Sequence, residues 1–171
     1  MSEFIYKQVE KYRSEVPTAD PFDLLEALGA VTVFSEAYSE NGLRGYCAVL
    51  NGIEYVVINA KQSEEEQRIV AAHEAGHLIL HADELSIGAM RDLDVYNATG
   101  KYEREANLFA ADFLMDDADV TELMHEAGAD YISVAQRLNV PAPFLAFKLF
   151  SMVKRGRGRH MQVDLNSRCL K

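Results

Sequence analysis

The chain has 171 residues, 49% of them apolar, and a formal net charge of −10, which suits one domain with a core that needs no covalent staples. Two distant cysteines, Cys47 and Cys169, exclude a disulfide framework and point to a reducing compartment. The acidic body argues against nucleic acid as the main partner, no apolar run approaches the ~20 residues that span a bilayer, and the charged opening MSEFIYKQVEKYRSE lacks the apolar centre of a signal peptide, so a cytoplasmic protein is expected.

Residues 3–14 read as an amphipathic helix with Phe4, Ile5, Val9 and Tyr12 inward. In TADPFDLLEALGA, Asp20 can cap a second helix, Pro21 fits its first turn, and Gly29 can end it in the left-handed region. AVTVF (30–34) reads as a strand. LRGYCAVL and IEYVVINA flank Asn51-Gly52, the pair that favours a type I′ turn, so a hairpin is predicted with strands at 44–50 and 53–59. An edge of that hairpin could receive a peptide as an added strand.

SEEEQRIVAAHEAGHLILHAD predicts a long helix that opens on a Ser63/Glu66 capping box, with Ile69, Val70, Ala72, His73, Gly76, His77 and Leu80 on one broad face. Residues 84–100 read as loop with one short turn. YEREANLFAADFLM (102–115) is a second clear helix, and three shorter ones follow near 118–127, 131–138 and 142–154. The fold class is α+β, mostly helical, with a small antiparallel sheet and a C-terminal helical part.

The chemistry lies in AAHEAGHLILH. Positions four apart rise about 6 Å along a helix, so His73 and His77 can converge on one ion with bonds of about 2.1 Å. Glu74, directly after the first histidine, then takes the place of the general base in the HExxH pattern. His81 stands about 12 Å along the axis from His73 and cannot readily share its ion, so it is expected in a helix-end or rim role. Zinc is the expected metal, and a catalytic zinc usually takes three protein ligands. Glu103 is the favoured third ligand: with Asn107 it borders the apolar face of Ala106, Phe109, Ala110, Phe113 and Leu114. Its rival Glu105 projects about 200° away and points more outward. Asn107 could accept a hydrogen bond from a ligand imidazole and fix its tautomer. Tyr96, Tyr102 and His125 are candidates for stabilising the oxyanion, while His125 and His160 each stand alone as ligands.

HEAGHLILH followed by EREANLFAADFLM resembles the ImmA/IrrE metallopeptidases, and the similarity covers roughly residues 20–116. The resemblance implies a zincin-like core over 1–116 with His73, His77 and Glu103 holding Zn2+ and Glu74 catalytic. It also implies an endopeptidase whose substrate is a partner helix-turn-helix repressor, inactivated by cleavage to derepress a phage, mobile-element or stress operon. Where the family usually has a proline after the second motif, this chain has Asp116, which can cap a new helix. Residues 117–155 are expected as a helical subdomain, in which YISVAQRLNVPAPFLAFKL has a faint helix-turn-helix cadence. The rest, 156–171, is expected as a basic, flexible tail: from Lys154 on, six basic residues face one acid, Asp164, which leaves −15 on the first 153 residues. The alternative is a non-proteolytic regulator that binds a repressor or DNA around a structural zinc site.

Overall fold

A computed structural model describes residues 1–16, 18–85, 90–92 (backbone only), 100–126 and 129–157. Most of the expected 84–100 loop, Tyr96, His160 and the tail from 158 on lie outside the described residues. The elements, in order, are α1 (Ser2–Glu15), α2 (Pro21–Ala27), β1 (Val31–Ser35), β2 (Gly45–Leu50), β3 (Ile53–Asn59), α3 (Glu64–Leu80), α4 (Ala82–Leu85), β4 (Met90–Asp92), α5 (Lys101–Leu114), α6 (Asp117–His125), α7 (Tyr131–Arg137) and α8 (Ala142–Lys154). The protein is a mostly helical α+β domain.

Local chemistry sets most boundaries. The Asp20 carboxylate accepts from the Phe22 amide and Pro21 opens α2. Gly29 takes a φ of +78° just beyond it. Asn51 and Gly52 sit at φ +53° and +77°, the two left-handed residues that a type I′ turn requires. Ser63 Oγ accepts from the Glu66 amide at the start of α3, while the Glu66 carboxylate pairs with Arg44. Asp116 accepts from the Ala118 amide and starts α6, replacing a proline stop with a cap. In α1, Ile5 and Val9 are buried and Tyr12 packs on the core, but Phe4, expected inward, is exposed.

The sheet has the order β1-β3-β2-β4. β2 and β3 form the predicted antiparallel hairpin, and β4 pairs antiparallel with β2 over Gly45–Cys47. β1 joins parallel to β3, with Val31 opposite Tyr55, so the sheet as a whole is mixed. The reason is occupancy: β4 takes the outer side of β2, and β1 lies against the far side of β3. Among the described residues β4 covers β2 over Gly45–Cys47, so the hairpin's own unpaired edge along β2 is narrowed to Ala48–Leu50.

α3 is the centre of the molecule. It packs on β2, β3 and α2, and its contact with α5 is the most extensive between any two elements among those described. Every residue from Ile69 to Leu78 is buried, the pattern of a helix enclosed on all sides. Large side chains of α5, such as Phe109 and Phe113, fill the core against it, each contributing roughly 1.5–3 kcal/mol on burial. Gly76 permits the close crossing: a Cβ there would lie 3.1 Å from Ala106 Cα and 3.3 Å from Phe109 Cβ.

α7, a short turn and α8 have helix-turn-helix spacing, but Phe144–Leu149, Ser151 and Met152 of α8 are buried. Lys148 and Asp112 are fully buried and 3.0 Å apart, and Arg155 bonds Asp117 through two 2.8 Å contacts. The Arg155 guanidinium carbon also lies over the Tyr6 ring, 3.6 Å from its centroid. Arg155, the last residue of the expected helical subdomain, thus fastens the end of α8 to α6 and α1.

Candidate metal centre

His73 and His77 lie on the face of α3 that meets α5, one turn apart, and Gly76 between them lets the Ala106 backbone come close. Their Nε2 atoms are 3.0 Å apart. From α5, Glu103 places Oε2 at 3.2 Å from His73 Nε2 and 3.5 Å from His77 Nε2. Among the described residues these three form a group whose ligand atoms lie within 4.8 Å of one another. Bonds of 2.0–2.1 Å in a tetrahedral shell would separate the donors by about 3.3 Å, so the spacing is that of one face of a metal tetrahedron.

The protonation pattern agrees. His73 Nδ1 is 3.0 Å from Asn107 Oδ1, and an amide oxygen only accepts, so the proton sits on Nδ1 and the Nε2 lone pair points to the centre. Burial pushes the His77 pKa down to about 4 against the opposing pull of Glu103, which keeps the ring neutral as a ligand must be. Glu103 Oε2 is buried with no hydrogen-bond partner. Lone pairs of two imidazoles and a carboxylate meeting at 3.0–3.5 Å repel unless a cation joins them. A divalent cation that accepts nitrogen and oxygen donors fits this set.

Glu74 is 1% exposed and turns from the α5 face toward β2. A Cβ on Gly45 would come within 3.4 Å of its Oε1, and the carboxylate is close enough for its charge to act on the Cys47 thiol. Burial, with the charge of Glu74, pushes the Cys47 pKa far up, so it stays a thiol. Gly45 and Cys47, alternate residues of β2, thus wall the space beside Glu74.

Two expectations need correction. His81 does end α3, as its C-cap, but it is 2% exposed and no rim residue: its Nδ1 lies 3.0 Å from His77 Nδ1. Glu105, expected outward, has a side chain 13% exposed against 29% for Glu103, and meets His81 Nε2 at 3.1 Å. The rotation of α5 separates the two carboxylates as predicted, but α3 runs alongside and its end carries His81 to the second one. The i, i+4 spacing of His77 and His81 was the available signal. Tyr102 lays its ring against His81 at 4.8 Å. His125 is exposed on α6, where its Nδ1–H donates to the Thr121 carbonyl at 2.8 Å.

Two packed helices that bring two imidazoles and a carboxylate together, with a glutamate beside the first imidazole, define a metallopeptidase-type site. The chain belongs to the peptidase M78 family: the model of its IrrE N-terminal-like domain matches residues 25–150. The chain is also similar to an uncharacterized immunity region protein 2 of Bacillus phage phi105, 27% identical over 151 residues that cover 88% of this chain and 89% of that one.

Proposed function

We propose that the protein is a cytoplasmic zinc-dependent endopeptidase that cuts a partner helix-turn-helix repressor and so derepresses a phage, mobile-element or stress operon. The observation that carries the reading is the convergence of His73, His77 and Glu103 at 3.0–3.5 Å, with Glu103 Oε2 lacking a hydrogen bond. These three residues would hold the ion. Zinc bound there supplies Lewis acidity, acidifying water and polarising a carbonyl. Glu74 serves as general base, taking the proton of the attacking water and delivering it to the leaving nitrogen. Asn107 keeps the His73 proton on Nδ1, away from the metal. A peptide added to the outer edge of β4 would run beside the part of β2 that faces Glu74, since β4 pairs with Gly45–Cys47.

The repressor as substrate rests on the family resemblance and on the phage immunity region named for the relative. A DNA-reading role for α7–α8 is disfavoured, because α8 gives its surface to the core. The test is cleavage of a purified, folded repressor from the neighbouring gene. Wild type loaded with zinc should cut it, and Glu74→Gln should lose about 10²–10⁴-fold in rate with zinc binding retained. Repressor inactivated equally by the Gln variant would overturn the protease reading, as would an intact repressor after incubation with zinc-loaded wild type.

A further inference from the structure

The sequence leaves His81 and Glu105 without a task, yet both are drawn into the interior. His81 is 2% exposed, wedged between His77 at 3.0 Å and Glu105 at 3.1 Å. Glu105 Oε1 also lies 3.9 Å from Lys101 Nζ one turn earlier, and the Tyr102 ring meets the His81 imidazole edge-on with centroids 4.8 Å apart. The protons in this chain can be ordered from its end. A carboxylate only accepts, so His81 Nε2 carries a hydrogen and donates it to Glu105 Oε2. With a neutral ring, His81 Nδ1 is then a lone pair and must accept from His77 Nδ1–H. That leaves the His77 Nε2 lone pair aimed at His73 Nε2 and Glu103 Oε2.

We infer that Glu105 and His81 are positioning residues of the metal centre, forming a carboxylate–imidazole relay that fixes the tautomer of His77 and raises its donor strength. The inference rests on the proposed metal site. The two ligand histidines are then held unequally: His73 by a neutral amide from Asn107, His77 by an anion acting through a second ring. Partners of this kind orient the ligand ring and make it more basic, and their loss typically weakens metal binding 10–100-fold. One helix serves both ends, since Glu103 reaches the site directly and Glu105, two residues on, reaches it through His81.

The test uses zinc competition against a chromophoric chelator, together with ring tautomers read from two-bond ¹H–¹⁵N couplings on the full chain. Glu105→Gln keeps size and hydrogen-bond acceptance but removes the charge, and should raise the zinc Kd about tenfold. His81→Leu should raise it further, and His81→Gln, whose amide oxygen can accept from His77 Nδ1–H, should recover part of the loss. In metal-free wild type, His77 should carry its proton on Nδ1 and His81 on Nε2. Unchanged zinc affinity in both Glu105→Gln and His81→Leu would overturn the inference. So would a metal-free His81 protonated on Nδ1 or on both nitrogens. Failure of the metal site itself is distinguishable: wild type would then bind zinc no better than Glu103→Ala, while the tautomers, read without metal, still decide the relay.

Discussion

Gly76→Ala sets two magnitudes against each other. In a helix interior alanine is favoured over glycine by about 1 kcal/mol, so the exchange would stabilise α3 if nothing touched the new methyl. Here the methyl would stand 3.1 Å from Ala106 Cα, 3.2 Å from the Ala106 carbonyl oxygen and 3.3 Å from Phe109 Cβ. Carbon atoms pack best at about 3.5–4.0 Å, so α5 must retreat by roughly 0.5 Å, and two of the three obstacles are backbone. Overpacking of this kind costs about 1–3 kcal/mol, so the clash wins and the net loss should be about 1 kcal/mol. The same retreat carries Glu103 away from His73 and His77, where distances matter to about 0.2 Å, so the zinc Kd should rise about tenfold. Urea unfolding in chelator measures the first effect and zinc competition the second. A variant more stable than wild type by about 1 kcal/mol, with unchanged zinc affinity, would show that the helix crossing has slack and that the argument from close approach is wrong.

Three further outcomes follow from other contacts. Gly45→Ala drives a methyl into Val70 and to 3.4 Å from Glu74 Oε1, so peptide cleavage should fall more than zinc affinity, read by comparing kcat with the zinc Kd. Asp112→Ala leaves the buried Lys148 ammonium with one carboxylate, Asp117 at 2.6 Å, in place of two and should cost about 2 kcal/mol by urea denaturation, while Asp112→Leu with Lys148→Met should recover most of it. Burial would raise the Asp117 pKa, but hydrogen bonds from Arg155 and Lys148 outweigh it and lower the value from 3.8 to about 2. A lowered carboxyl pKa stabilises the fold fully above its unfolded value and is lost as pH falls through the folded one, so about 1–2 kcal/mol should disappear between pH 4 and 2 after allowance for partial exposure. Asp117→Asn should flatten that fall, measured by denaturant midpoints at each pH.

What could be read from the sequence was set by near neighbours along the chain. Asp20, Ser63, Asn51-Gly52 and Asp116 act within three residues of themselves, so their caps and turn needed no tertiary knowledge. His73 and His77 are one turn apart on one helix, and Glu103 could be singled out because in the sequence it borders the apolar positions Ala106, Phe109, Ala110 and Phe113. The sheet order was not legible, since no local signal says that β4 takes the side of β2 that β1 leaves free. Nor was the partnership of His81 and Glu105, whose 24-residue separation is closed only by the way α3 lies along α5. The role of Arg155 was hidden for a related reason: its neighbours are basic and glycine-rich, yet its partners, Asp112, Asp117 and Tyr6, come from three other helices.

The burial of α3 explains why one short motif can carry so much of the site. A surface helix would offer a single stripe to its neighbours, but α3 has a partner on each side. Successive residues turn by about 100°, so His73 faces α5 while Glu74, the next residue, faces β2. On the proposed function, the metal-binding side depends on how α5 approaches at Gly76, and the base depends on how β2 approaches at Gly45, two contacts made by different elements. Metal affinity and base placement should then be separable by mutation: changes at the α5 side act first on zinc, changes at the β2 side act first on turnover.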